Sequence, residues 1–469
     1  MNRIFFFSAC ALLVASCSHD SPPQTTPVIP ASCNLPVPQP AALDGGVIEL
    51  GTHAVGDDIA FTVPAGTASV SIVQQAVGKV PLQVVLTQNG GQVVDNSAVP
   101  RFIHFPDGGL AYDDFQGGTK NADGTITLAD KYVEYSQDSP VAATMTFPNT
   151  ATSLAQGVAP GAWSFRVGDF SYECATGLGC SDGGTTADQY DVKVILRPAA
   201  PAAPRLDVNF YIVSSATTAS GQPFTAAVAN AGTDPSVKRL VQTFTAIYSQ
   251  VGITLGNVRF FDVSAADRAT YSVITVGANS TGQGPCDQID QLFTLSGANP
   301  SNAMNLFLVD AIDDSSGQQT IGIDSTIPGM ASFAGTVHSG AIVSSANLFA
   351  GTGCTGALTM RCGADQVAYI SAHETGHFLG LFHTTEGKGD LIDPLNTAKC
   401  ACTVCEDATQ RPNCGTANAG LLNPAFCRSS TNTSCQGGDN LMFYAIDFAS
   451  TGTLTSTQGA VMKLNPLVQ

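Results

Sequence analysis

Apolar and polar residues alternate through much of the N-terminal third of the chain. Clusters of Gly, Pro, Asn and Asp separate the alternating stretches, of which the clearest are Ile59/Phe61/Val63, Trp163/Phe165/Val167 and Val192/Val194/Leu196. A period of two with frequent turns is typical of half-buried strands. Several such strands at short spacing predict an all-β sandwich over residues 46–196.

The pattern changes after residues 197–205, a Pro/Ala-rich stretch that predicts a stiff linker. Asp234-Pro235 offers an N-cap and a first-turn proline to a helix that should end before Gly252. Near-continuous apolar runs predict further strands at Val208–Val213, Val258–Val263, Leu306–Val309 and His338–Leu348. We therefore expect a multidomain chain in which residues 206–469 form an α/β (α+β) domain, with a mixed sheet backed by helices.

The N-terminus predicts export. Asn2 and Arg3 precede an apolar run, and Val14-Ala15-Ser16-Cys17 resembles a bacterial lipobox, so residues 1–17 are interpreted as a lipoprotein signal peptide. An ordinary signal peptide cut near the same place is the alternative. A lipid on Cys17 would attach the chain to a membrane, with residues 18–45 as a Pro-rich tether. The expected location is the cell envelope or surface, or the secreted fraction.

Charge and cysteine content narrow the function classes. Asp and Glu outnumber Lys and Arg by 37 to 19, which gives a formal net charge of −18. A polyanion would be repelled, so nucleic acid is excluded as a partner. Of the 14 cysteines, 12 remain after Cys10 and Cys17 are set aside, and an even number in an exported chain favours disulfide bonds. Local pairing is expected for Cys174 with Cys180 and for Cys354 with Cys362.

Candidate chemistry is concentrated in His373-Glu374-Thr375-Gly376-His377, which is followed by His383, on a helix predicted to begin near Ala364. His373 and His377 are spaced i and i+4, so both imidazoles lie on one helical face and can bind one zinc ion. Glu374 beside them can take a proton from a water activated by the metal. The sequence therefore predicts a metal site with its own general base.

His383 is the third candidate ligand. A continuous helix could not direct it to the same ion, so the chain must turn, and Gly380 is the residue type that accepts a positive φ. The alternative is a buried helix whose histidines are core residues and whose Gly380 is only a C-cap.

These residues resemble the signature of the metzincin zinc peptidases, H-E-x-x-H-x-x-G-x-x-H. The clan also has a methionine turn beneath the zinc, and Asp439-Asn440-Leu441-Met442-Phe443-Tyr444 is similar to it. Thr384 after the third histidine and the Asn440-x-Met442 form are most similar to the pappalysin-like branch. The resemblance covers roughly Leu206 to the C-terminus and says nothing about residues 46–196.

The resemblance implies a zinc metalloendopeptidase that hydrolyses protein or peptide substrates, with Glu374 as base and then acid. It implies that Met442 forms the floor of the site and that Tyr444 aids the transition state, or else packs beneath the site. It also implies a substrate-pairing edge strand, for which Ser339–Ser345 is the candidate. Asp390–Thr397 departs from the Asp-Thr-Pro element that is common in the pappalysin-like branch. This element belongs to that branch's calcium-binding loop, so Ca²⁺ is a second candidate metal rather than an expected one.

Two rival hypotheses remain open. One is a surface adhesin or binding lipoprotein on a non-catalytic peptidase scaffold, although such a chain would usually have a decayed motif. The other makes residues 46–196 an inhibitory prodomain with the Cys33 thiolate on the zinc. That second hypothesis would leave one cysteine unpaired.

Overall fold

The computed structural model describes most of the chain after residue 45 and two short stretches before it. The described residues are 32–34, 39–40, 46–77, 79–81, 86–88, 91–93, 101–112, 119–120, 126–127, 142–168, 189–276, 288–314, 319–331, 333–336, 338–351, 354–385, 395, 424–428, 436–446, 449 and 452–469. The signal peptide with Cys17, the Cys174/Cys180 pair and Asp390 to Asp393 lie outside them. Each helix in the described part of the chain is too short or too polar to span a lipid bilayer.

The strands and helices are numbered in chain order. The strands are β1 Ser32–Asn34, β2 Gln39–Pro40, β3 Gly46–Ala54, β4 Asp58–Val63, β5 Ser69–Ala76, β6 Lys79–Pro81, β7 Leu86–Gln88, β8 Gly91–Val93, β9 Arg101–His104, β10 Leu110–Tyr112, β11 Thr119–Lys120, β12 Ile126–Thr127, β13 Ala142–Phe147, β14 Gly161–Arg166, β15 Gln189–Arg197, β16 Arg205–Ile212, β17 Thr254–Asp262, β18 Val273–Val276, β19 Met304–Val309, β20 Ala311–Asp314, β21 Gln319–Thr320, β22 Gly322–Asp324, β23 Phe333–Ala334 and β24 Ala341–Ser344. The helices are α1 Ala151–Gln156, α2 Ala226–Asn230, α3 Pro235–Ser249, α4 Ala265–Tyr271, α5 Gln288–Thr294, α6 Gly363–Phe378, α7 Pro424–Arg428 and α8 Ser456–Leu464.

The alternating N-terminal region forms antiparallel sheets, as its pattern predicts. Two sheets have four strands each, in the orders β10-β9-β14-β4 and β13-β5-β15-β3. Along β4 exposed and buried residues alternate without exception. Trp163 of one sheet lies edge-on to Phe147 of the other, with ring centroids 5.3 Å apart. The two sheets therefore face one another across a shared aromatic core.

The C-terminal region is built on a five-stranded mixed sheet in the order β17-β16-β19-β24-β22. The first four strands run parallel, and β22 is antiparallel to its neighbour β24. Alternate residues along these strands point to opposite faces of the sheet. On one face Phe210 and Leu306 pack with helices α3 and α6, and on the other Tyr211 and Phe307 pack with α5. Helix α3 begins as predicted, because the Asp234 carboxylate accepts hydrogen bonds from the Ser236 and Val237 amides.

The predicted tether differs from the expectation in two places. Strand β1 pairs antiparallel with β6, and β2 pairs antiparallel with β23. An extended segment has unpaired backbone N–H and C=O groups, and the edges of other strands can satisfy them. Residues 18–45 therefore include two short paired segments.

The C-terminal segment Leu464–Gln469 lies against both regions. Arg197, which is 5% exposed, donates hydrogen bonds to the carbonyls of Asn465 (2.9 Å) and Val468. The Asn465 side-chain amide in turn donates to the Phe378 carbonyl at the end of α6, at 3.2 Å. Arg197 thus connects the N-terminal sheets to the helix that carries the histidine motif.

We predict that Arg197→Ala destabilises the whole chain by on the order of 2 to 3 kcal/mol, because it removes buried hydrogen bonds from a charged donor. Arg166→Ala is the matched control: its guanidinium pairs with an exposed Asp58 at 2.7 Å, and such surface pairs contribute about 1 kcal/mol or less. Urea denaturation of the three proteins measures the difference. Equal losses in the two variants would contradict the role given to Arg197.

Candidate metal centre

Helix α6 carries the histidine motif and is buried along nearly its whole length. Its first turn is fixed by Asp365, which is fully buried and accepts hydrogen bonds from the Arg239 guanidinium at 2.6 and 2.8 Å and from the Thr243 hydroxyl at 2.5 Å. The predicted Cys354–Cys362 disulfide is present and ends at the residue before the helix. An acidic residue in the first turn also interacts favourably with the helix dipole.

The three histidines of the motif converge at one point. The Nε2 atom of His373 lies 3.1 Å from that of His377 and 3.2 Å from that of His383. Two nitrogens that each lie 2.0–2.1 Å from a tetrahedral zinc ion are about 3.3 Å apart. The spacing of the three Nε2 atoms therefore fits one zinc ion with a fourth position left over.

Hydrogen bonds on the opposite ring nitrogens fix two of the tautomers. His373 Nδ1 lies 2.7 Å from the Leu441 carbonyl, and His377 Nδ1 lies 2.6 Å from the Leu381 carbonyl. A carbonyl oxygen can only accept, so each Nδ1 carries the proton and each Nε2 presents a lone pair. Two lone pairs 3.1 Å apart repel unless a cation lies between them.

The protonation state agrees with this arrangement. Burial, together with the proximity of His383, lowers the pKa of His373 to about 3. Burial also lowers the pKa of His377 well below its usual range, again with contributions from the neighbouring histidines. Metal ligation requires neutral imidazole, so both side chains are held in the form that binds an ion.

Gly380 makes the turn that brings in the third histidine. Its φ is +102°, in the region that favours glycine, and the helix ends immediately before it at Phe378 and Leu379. The chain then returns past the site, where the Thr384 amide donates to the Met442 carbonyl at 2.9 Å. His383 is thereby brought level with His373 and His377.

Met442 lies directly beneath the histidine helix. A Cβ atom at Gly376 would lie 2.6 Å from the Met442 sulfur, so the methionine packs against the bare backbone between His373 and His377. The requirement for glycine at position 376 follows from this contact, and sequence reasoning did not identify it. Met442 is fully buried.

Glu374 lies beneath strand β22, which passes over it. A Cβ atom at Gly322 would come within 2.2 Å of the Glu374 carboxylate, so a larger residue there would displace the carboxylate from its present position. Glu374 is 6% exposed, and burial raises its pKa to about 8, partly offset by a hydrogen bond from the Asp324 backbone. The carboxyl group is thus held in a dry site next to the first ligand.

Asp324 is a second buried carboxyl group in this region, and sequence reasoning missed it. Burial raises its pKa well above the usual range, and the nearby Glu374 raises it further. In a three-residue strand, no local pattern distinguishes such a residue from a solvated loop carboxylate. Two neighbouring buried acidic groups with raised pKa values are typical of functional sites.

The edge-strand prediction was wrong. The predicted segment Ser339–Ser345 contains β24, which is an interior strand between β19 and β22. Among the described residues, the sheet edge nearest the histidine helix is β22, Gly322–Asp324, whose three residues are too few to give a recognisable sequence pattern. This short strand lies next to Glu374.

The remaining predicted site residue, Tyr444, lies two residues after Met442 and is half-buried. Its ring centroid is 5.2 Å from that of Phe443. Both roles weighed for Tyr444, packing beneath the site and aiding the transition state, stay predictions.

Comparisons with known proteins add little to this geometry. No protein-family model matches the chain, and no curated protein matches its sequence. Among the solved structures that match is metalloproteinase-II from Bacteroides fragilis, which is 15% identical. That match covers 44% of this chain and 57% of the other, with a TM-score of 0.23. A likeness of that size supports no inference about function, so the function must be argued from the site itself.

The raised pKa of Glu374 predicts how the stability of the metal-free protein depends on pH. The ordinary value for this group is 4.5, and the folded value is about 8. Between these values the unfolded chain has lost the proton and the folded chain keeps it, so stability falls as pH rises. Glu374→Gln has no proton to lose.

The variant should therefore gain on the order of 3 kcal/mol of unfolding free energy relative to the unmodified chain between pH 5 and pH 8. Chemical denaturation of both proteins in a chelator at the two pH values measures it. Histidine contributions are common to both chains and cancel in the difference. A difference that does not change with pH would show that Glu374 is not held protonated.

Proposed function

We propose that the chain is an extracellular zinc-dependent endopeptidase of the metzincin type, similar to the pappalysin-like branch. The observation that supports this most strongly is the convergence of His373, His377 and His383, whose Nε2 atoms lie 3.1 and 3.2 Å apart without a proton between the first two. These side chains together could hold a metal ion. A zinc ion held there would supply Lewis acidity, which polarises a peptide carbonyl and lowers the pKa of water.

Glu374 is the residue that moves the proton in this proposal. It follows His373 directly in the helix and is shielded from bulk solvent by β22. With its pKa raised to about 8, the carboxyl keeps a proton near neutral pH, and a nearby cation favours the ionised form. It can therefore take a proton from water and return it to the leaving amine.

Strand β22 is the surface proposed to bind substrate. It is the edge of the five-stranded sheet among the described residues and passes directly over Glu374. An extended peptide can add to such an edge through backbone hydrogen bonds. The peptide bond to be cut would then lie between the edge strand and the histidines. Binding of this kind depends little on side chains and suits a protein or peptide substrate of loose sequence preference.

The proposed location follows from the N-terminal sequence. A signal peptide removed just before Cys17 would export the chain and leave a lipid on Cys17 as the first residue of the mature chain. Mass spectrometry of the mature N-terminus tests this part separately, and an unmodified residue there would contradict lipid anchoring. The peptidase proposal does not depend on it.

Two variants separate metal binding from proton transfer. Glu374→Gln should keep one equivalent of zinc and lose about 10²- to 10⁴-fold in kcat, because the general base is removed and the ligands remain. His373→Gln should lose the metal as well. His338→Gln is the matched control, because His338 is also a buried histidine, 5% exposed, outside the triad. It should keep both metal and activity.

The measurements are zinc content by mass spectrometry and cleavage of a proteome-derived peptide library, with and without a chelator. Full activity of Glu374→Gln would contradict the proposed mechanism. A zinc-loaded unmodified chain that cleaves no peptide would instead favour the adhesin hypothesis.

A further inference from the structure

A buried pair of side-chain amides lies beside the methionine turn. Asn440 Nδ2 donates to Gln458 Oε1, and Gln458 Nε2 donates back to Asn440 Oδ1, both at 3.0 Å. Asn440 is 5% exposed and Gln458 is 1% exposed. A reciprocal pair of this kind fixes the orientation of both amides, because reversing either one would place donor against donor and acceptor against acceptor.

Gln458 is itself held in place by the start of helix α8. Its Oε1 accepts a second hydrogen bond from the Thr455 backbone amide at 2.9 Å, and the Thr455 hydroxyl accepts one from the Gln458 backbone amide at 3.2 Å. This is a capping box, which satisfies donors that a helix start otherwise leaves free. Gln458 therefore bonds to the helix start on one side and to Asn440 on the other.

Asn440 passes this constraint to the turn. Its Oδ1 also accepts from the Met442 amide at 2.9 Å, which closes the backbone around Leu441. The Leu441 amide donates to the Thr453 carbonyl at 2.7 Å. With the residues on both sides held, the direction of the Leu441 carbonyl is fixed.

That carbonyl is the one that orients His373. It accepts the proton on His373 Nδ1 at 2.7 Å and so keeps Nε2 directed at the other two histidines. Partners of this type fix both the tautomer and the ring orientation of a ligand. The connection runs from Gln458 through Asn440 and Leu441 to His373.

We infer that Gln458 is a positioning residue for the metal centre, acting through Asn440 and the Leu441 carbonyl on the first ligand. This inference rests on the proposed function, because it treats His373 as a metal ligand. It concerns helix α8, which begins at Ser456, beyond both the histidine motif and the methionine turn. Helix α8 thereby becomes part of the site.

The test is Gln458→Glu, which is nearly isosteric. At pH 9, where ionisation is favoured over the neutral acid that burial stabilises, the new carboxylate still accepts from Asn440 Nδ2 and from the Thr455 amide, so the helix cap survives. The ionised group cannot donate to Asn440 Oδ1. We expect zinc affinity, measured by competition with a chromophoric chelator, to fall about 10- to 100-fold. The visible absorption bands of the Co²⁺-substituted protein should change as well.

Thr455→Ala is the matched control. It removes the hydroxyl that caps the helix and should lower Tm by about 2 °C, but it leaves the amide pair and the Thr455 backbone amide in place. We expect its zinc affinity to stay within about twofold of the unmodified chain and its Co²⁺ spectrum to stay unchanged. Asn440→Asp tests the pair from the other side, because it keeps the acceptor and loses the donor, and it should weaken zinc binding as Gln458→Glu does.

The outcomes are distinct. If both Gln458→Glu and Asn440→Asp bind zinc as tightly as the unmodified chain does, the inference is overturned and the proposed function is unaffected. An equal loss of affinity in Thr455→Ala would also overturn it, because general destabilisation would then be the cause. An unmodified chain that does not bind zinc would overturn both the inference and the proposed function.

Discussion

The repulsion between the imidazole lone pairs of His373 and His377 is the constraint on which the site depends. Neutral His373 and His377 side chains, whose Nε2 atoms lie 3.1 Å apart, would not adopt that arrangement without support. In the metal-free chain the surrounding structure must hold them there, and the carbonyls of Leu441 and Leu381 do so by binding the opposite ring nitrogens. Such preorganisation lowers the cost of binding a cation, because little has to reorient when it arrives.

The rest of the scaffold keeps helix α6 from moving relative to those carbonyls. At its start, Asp365 is bound to Arg239 and Thr243 of helix α3. At its end, the Phe378 carbonyl accepts hydrogen bonds from the Gly329 amide and the Asn465 side chain. The Asn465 carbonyl is bound by Arg197, so the N-terminal sheets contribute to the same end. Through Arg197 and Asn465, the described part of the N-terminal region helps to hold the C-terminal end of helix α6 in place.

Residues close in sequence could be predicted, because helical spacing and glycine conformation are local properties. The pairing of His373 with His377, the turn at Gly380 and the capping of helix α3 by Asp234 follow from such rules, as does the antiparallel character of the N-terminal sheets.

Strand order could not be predicted, because β22 is only three residues long and its place at the sheet edge depends on contacts distant in sequence. Glu374 was identified from its motif, whereas Gly322 and Asp324 above it were not. For Gln458 the Thr455-x-x-Gln458 spacing is a recognised helix-start signature, but it gives no sign that the same side chain also holds the methionine turn.

Zinc K-edge X-ray absorption on the purified chain, loaded with one equivalent of zinc, tests the account most directly. The account predicts a shell of nitrogen and oxygen atoms at about 2.0–2.1 Å, with the multiple scattering expected of three imidazoles and without sulfur. The same spectrum from His373→Gln should lose part of that imidazole signal. A zinc–sulfur distance of about 2.3 Å, as a cysteine ligand would give, or fewer than three imidazoles in the unmodified chain, would contradict it.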